Sequence, residues 1–201
     1  MYGPAAIGLD IYMPEPDQNS LENLFRRLAP EQKSLINEIV SLPSTDFELS
    51  MSLSSTPSVL GAAGFDFDAY TTSKELYTTE LQIVGEDPRP FVHDYPEVLA
   101  SIPELQEAAA GQALLSVPNQ AGAVRQIPLV SSVDRQLVPG MAMEVLRVAT
   151  RDSGIRILTS KMGVETVGVA DLEVSTQGDA SVWLRYAYLD STKHRYLSVA
   201  D

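Results

Sequence analysis

The amino-acid sequence predicts an α/β fold: a mixed β-sheet, parallel in its first part and antiparallel in its C-terminal strands, flanked by helices in one domain. Three observations carry that expectation. Residues 5–13 are almost continuously apolar and lie between Pro4 and Pro14, as suits a strand covered on both faces of a parallel sheet. A long helix-patterned stretch then leads to a second apolar run at 59–65, which leaves room for a right-handed crossover between parallel strands. Beyond residue 155 come short alternating runs separated by turn residues, the pattern of antiparallel strands.

The elements follow in order. Asp10 stands near the carboxyl end of the first strand, and Glu15 and Asp17 follow in a Pro-rich loop. Ser20 is placed to cap a helix whose stripe is Leu21, Leu24, Phe25 and Leu28. Pro30 opens a second helix that buries Leu35, Ile36, Ile39 and Val40. Thr45 and Glu48 have capping-box spacing and open a third, short helix through Leu53, which Pro57 stops. Residues 66–103 hold acids, aromatics and prolines. Within them 76–84 reads as an extended piece, and the irregular, Pro-rich stretch 86–96 as a surface excursion. Pro103 starts a short helix that ends at Gly111.

The stretch 113–150 organises the rest. Residues 113–117 form a short buried strand, and Pro118 to Gly122 carry turn residues. Residues 124–130 read as a second strand with Arg125, Ile127 and Leu129 on one face; Pro128 confines it to an edge or a bulge. Pro139 fits the first turn of a helix in which Met141, Val145 and Val148 recur at helical spacing, with Gly154 as its stop. Strands are expected at 155–162, at 164–174 in two pieces broken near Asp171, and at 182–189. The last has two apolar faces and so an internal place in the sheet. Gln177 to Asp179 make a turn. No Pro/Gly/Ser linker divides the chain, which favours one domain over residues 1–201.

Composition excludes more than it names. With 27 acids against 14 bases the net charge is −13, which argues against nucleic acid or an anionic membrane surface as partner. There is no cysteine, so disulfides, thiolate catalysis and cysteine-bound zinc are all excluded. No apolar run approaches the roughly 18 residues of a spanning helix. His93 and His194 lack metal-ligand spacing, no phosphate loop or nucleophile elbow is present, and Asp66 and Asp68 lack the rest of a calcium loop. No catalytic residue, metal or cofactor is therefore expected.

Two site readings stand. Asp10, Glu15 and Asp17 could be paired carboxylates of a hydrolase; the bland alternative is a helix-entry loop with acids at the positive helix end. Asp10, Asn119 and Arg125 could share a crevice beyond the strand ends and receive a small polar ligand. The competing reading is a structural Asp–Arg pair that fixes strand order, the commoner role of such pairs.

The run "GAVRQIPLV" followed by "VPGMAMEVLRVA", together with "AAIGLDIYMPEPD" and "VWLRYAYLDSTKHRYLSVAD", resembles the CHASE-type extracellular sensory domain, second subfamily, of cyclases and histidine kinases. The resemblance covers nearly the whole chain. It implies the extracytoplasmic, periplasmic input domain of a bacterial transmembrane receptor, tethered through flanking membrane helices and signalling to a cytoplasmic cyclase or histidine kinase. A small-molecule or protein signal would change its conformation or its packing in a homodimer. The family's earlier strand and helix are not matched, so the sequence looks like a soluble fragment opening inside the domain, whose first strand should have one bare edge. The alternatives are the carboxylate-dependent hydrolase using Asp10 and Glu15, and a soluble binding or scaffold protein.

Overall fold

The computed structural model describes residues 3–18, 43–67, 75–118 and 122–186. The expected helices over 20–28 and 30–40, and the chain beyond Tyr186, lie outside the described residues. What remains is a mixed α/β structure whose strands fall into four hydrogen-bonded ladders.

The first sheet is built on β2 (Ser58–Phe65), which is buried along almost its whole length. Its small residues Gly61, Ala62, Ala63 and Gly64 let neighbouring chains close in on both faces. Parallel to it run β1 (Ile7–Leu9) and β6 (Gly111–Leu114). Farther along, β5 (Glu97–Leu99) joins antiparallel. The parallel first part is thus as expected. The first strand is three residues long rather than nine, and it is not covered on both faces: Ile7 is 38% exposed.

The helix α1 (Thr45–Ser55) begins one residue earlier than the capping-box spacing implied. Ser44, not Thr45, is the N-cap, and its hydroxyl accepts from the Phe47 N–H at 3.1 Å. The α2 helix (Pro103–Ala108) opens on its proline as expected. Leu53 of α1 and Leu105 of α2 pack with Leu60 of β2 in one cluster. Buried Gln106 ties α2 to the chain ahead: its amide donates to the Glu75 and Ser101 carbonyls and accepts from the Tyr77 N–H.

The stretch 86–96 is not a surface excursion: it contributes β4 (Asp94–Tyr95) and buries Val92 and Tyr95, while the extended piece expected at 76–84 is met by β3 (Leu81–Gly85). Tyr95 lies flat against β2, where only glycine fits: a Cβ on Gly64 would sit 2.5 Å from the ring. The polar and proline-rich composition of this stretch hid single apolar anchors that have no period to betray them.

The expected strand over 124–130 is two strands in different ladders. The pieces are β7 (Gln126–Pro128) and β8 (Val130–Val133); Leu129 is the switch, donating its N–H to Ala180 and accepting from Gly140. Pro128 supplies the break, since it cannot donate to a ladder. A hairpin then pairs β8 with β9 (Gln136–Pro139), and β4 lies parallel on the other side of β8. Pro139 therefore closes a strand instead of opening a helix. The helix α3 (Met141–Thr150) starts behind Gly140 and ends at Arg151, a left-handed residue (φ 57°), before Gly154 is reached. One face of α3 packs Met141, Val145 and Val148 against Val59 and Ala113. Met143 enters the largest cluster with Leu129, Val130, Ile155, Ile157 and Val167.

The second four-stranded sheet has the order β12-β11-β10-β3 and is made by β10 (Ile155–Ser160), β11 (Gly163–Val169) and β12 (Leu172–Ser175), antiparallel to one another, with β3 parallel to β10. Ile155, Ile157 and Thr159 face inward and Leu158 outward, and each buried Ile contributes about 1.5–3 kcal/mol. The break near Asp171 is the β11–β12 turn, as the alternation implied. Among the described residues the last strand, β13 (Ser181–Trp183), pairs with β7 alone, at an edge instead of the internal place expected of it, and Trp183 is 63% exposed. Apolar residues on both faces of a strand do not fix its place when one face looks into a crevice.

Candidate functional site

Among the sequence-expected site residues, Asp10 follows β1, exposed at the carboxyl end of the parallel ladder. Arg125 is exposed ahead of β7, and its carbonyl accepts from the Leu184 N–H at 2.7 Å. Asn119 lies outside the described residues. The strands nearest Asp10 and Arg125, β1 and β7, belong to different ladders. Yet one described residue beside each of Asn119 and Arg125 does border a cavity. Pro118, next to Asn119, and Gln126, next to Arg125, both line a crevice of about 450 Å³.

One wall of that crevice is the β7–β13 ladder. Its register places Trp183 opposite Gln126 and Ser181 opposite Pro128. These four share one face by strand alternation, while Val182 on the other face packs on the main core. Below the ladder the expected turn is present. Asp179 Oδ1 accepts from the Ser181 N–H (3.0 Å) and from the Ser181 hydroxyl (2.6 Å), an Asx-type closure.

The facing wall is the turn that carries Phe91 and Val92, whose N–H groups both donate to the Pro88 carbonyl, and then His93. The His93 carbonyl accepts from Ser132, which fixes this segment to β8. The His93 ring is clamped twice. Its Nε2 lies 2.6 Å from Asp66 Oδ1, and its plane meets Tyr95 edge-on, with centroids 4.4 Å apart. Tyr95 is 2% exposed, and its hydroxyl has no hydrogen-bond partner among the described residues. Desolvation first, and the Asp66 charge second, push its pKa up to about 12, so it stays a neutral phenol.

The acids of the first loop are arranged otherwise. The Asp17 N–H donates to Asp46 Oδ2 at 2.9 Å, and the Thr45 hydroxyl donates to Asp17 Oδ2 at 2.6 Å, which docks the loop on the first turn of α1. Glu15 accepts from Gln18. The helix that this loop was expected to enter lies outside the described residues; the contacts seen tie Asp17 to α1 instead. Among the described residues no three His, Asp or Glu side chains converge as a metal cluster would require.

Sequence reasoning missed the polar rim of the crevice: His93, Gln126, Asp179 and Ser181. The Asp-x-Ser pair in the turn was a visible signal, since Asp at that spacing closes on the following N–H. The His93–Asp66 pair was not visible, because 27 residues separate its members. Also missed was a buried ion pair. Glu144, with no exposure, accepts from Arg147 Nε at 2.9 Å and Nη2 at 2.6 Å. The same guanidinium donates to the Ala110 and Asp152 carbonyls.

Among the described residues, no helix is long and apolar enough to cross a membrane. No curated protein and no solved structure matches the chain. A family model described as the CHASE2 domain matches residues 1–201.

Proposed function

Because the chain belongs to the CHASE2 family, a non-catalytic family of extracellular sensory domains of receptors, we propose that it is the input domain of a bacterial transmembrane receptor. In this reading residues 1–201 act as one extracytoplasmic unit, held between membrane helices and paired as a homodimer. A signal changes the conformation or packing of the pair, and the change passes to a cytoplasmic cyclase or histidine kinase. Such a stimulus acts only through different affinity for two states of the domain. The family match over the whole chain carries the reading. The crevice bordered by Pro118 and Gln126 supports it by offering a place where a small signal can be held.

The test uses the full receptor in membrane vesicles. Effector output, read as cyclic-nucleotide synthesis or autophosphorylation, should shift when Gln126→Trp fills the crevice. A reporter enzyme active only outside the cytoplasm should be active when inserted in this domain. A silent reporter, or output indifferent to the domain's presence, would overturn the reading.

A further inference from the structure

We infer that the crevice between the β7–β13 ladder and the turn at Phe91 takes a small organic cation, an ammonium or guanidinium group carried on an apolar body. The charge of the walls leads there. Asp179 spends one carboxylate oxygen on both Ser181 bonds, and among the described residues no hydrogen bond engages Oδ2. A carboxylate retains acceptor capacity after two such bonds. Opposite, the His93 ring is tied through Nε2 to Asp66 Oδ1 at 2.6 Å, so Asp179 is the carboxylate that faces the crevice. Among the described residues no Lys or Arg lines the crevice. An anion would meet the Asp179 carboxylate with no Lys or Arg among the described lining residues to offset it, whereas an ammonium finds a charge-assisted acceptor.

The rest of the lining suits an apolar body. Phe91, Val92, Pro118 and Pro128 offer carbon surface, and the volume of about 450 Å³ lies in the range of small-molecule sites. Trp183 extends the same ladder face beyond Gln126 with most of its surface exposed. An indole is the best aromatic partner for a cation. The net charge of −13 also raises the local concentration of cations over anions.

A matched series tests this on the purified 201-residue chain: cyclohexylmethylammonium, cyclohexylmethanol and cyclohexanecarboxylate. These share a ring and differ in charge. Calorimetry is the direct readout, and the fluorescence of the one tryptophan, Trp183, paired with Gln126 across the ladder, is the second. The ammonium should bind at least tenfold more tightly than the alcohol, with the carboxylate weakest, and rising salt should weaken it. Asp179→Asn keeps the acceptor for Ser181 and should cost the ammonium about tenfold. Gln126→Lys, which leaves the Asp179 turn untouched, should abolish its binding. Equal binding of carboxylate and ammonium, unchanged affinity in both variants, or no binding by any of the three would overturn the assignment. The proposal rests on the sensory reading only for what binding does. If the ammonium binds but leaves receptor output unmoved, the charge class stands and the crevice is not the sensory site. If output follows the carboxylate or the alcohol instead, the sensory reading stands and the charge class falls.

Discussion

At the scale of single residues, the buried pair on α3 dominates. Glu144 has no water contact, and both its oxygens are met by one guanidinium. The pair also sets the size of Gly111, since a Cβ there would collide with the Glu144 carboxylate. Removing one member strands the other, a loss of about 3–5 kcal/mol. Arg147→Ala should therefore lower the denaturation midpoint steeply. The double variant Glu144→Leu/Arg147→Met should recover much of the loss, because apolar replacement of a whole buried pair is often tolerated; an additive double variant would show the two do not act together. The i,i+3 spacing was readable, but such pairs usually lie in solvent, and nothing in the sequence put this one inside. Asp152 makes a pH-dependent contribution. The Ala170 N–H donates to it at 2.6 Å, with the Ser153 and Gly154 N–H groups and the Arg156 charge adding to the effect. Against the opposing pull of partial desolvation, these hold its carboxyl below the ordinary value. A depressed folded pKa stabilises the fold above the unfolded value, about 4, and the gain is lost as pH falls through the folded value. Asp152→Asn should thus lower the melting temperature at pH 7, and the gap to the parent should close as the pH drops below about 4. A gap independent of pH would remove the charge from the explanation.

Elements carry the next level of specificity. The β8–β9 hairpin turns through Asp134 (φ 44°) and Arg135 (φ 66°), both left-handed. A two-residue hairpin loop requires this, and Asn-Gly meets the requirement with least strain. The Arg135 backbone holds two further partners: its N–H donates to Asp94 Oδ1 and its carbonyl accepts from Arg89 Nε. Arg135→Gly keeps both and relieves the left-handed strain, offset in part by unfolded-chain entropy. Stability should rise by up to about 1 kcal/mol in urea titration, and a loss would mean that the Arg135 side chain itself holds the turn. Here the limits of sequence reading are physical. The stripe of α3 was legible because Met141, Val145 and Val148 repeat at 3.6 residues over ten positions. The hairpin ahead of it was not, because Asp134-Arg135 carries no turn signature and Pro139 looked like a helix opener. An edge strand accepts that proline equally well.

Over the whole molecule, long apolar runs gave the parallel core, and short ones gave the antiparallel strands after residue 155. Neither could say that the chain changes ladders at Leu129, since alternation continues through Pro128 without a break. The crevice exists because of that change: β7 leaves the β8–β9 hairpin and pairs with β13, opening the space beside His93. Its turn and strand were legible, but its far wall came from a segment read as surface. Among the described residues, β1 is bonded to β2 alone. The Ile7 N–H donates inward to Pro57, so the Gly8 backbone groups point away from the sheet. Ile7, Ile11 and Tyr12 expose apolar surface along the same segment. A short apolar edge without lysine or proline within it is a template for another strand. The 201-residue chain should therefore self-associate as its concentration rises in sedimentation velocity. Ile7→Lys should return it to a monomer with little change in melting temperature, since Ile7 is already part exposed. A monomer at every concentration, or association undiminished by the lysine, would mean that this edge is not what joins the copies.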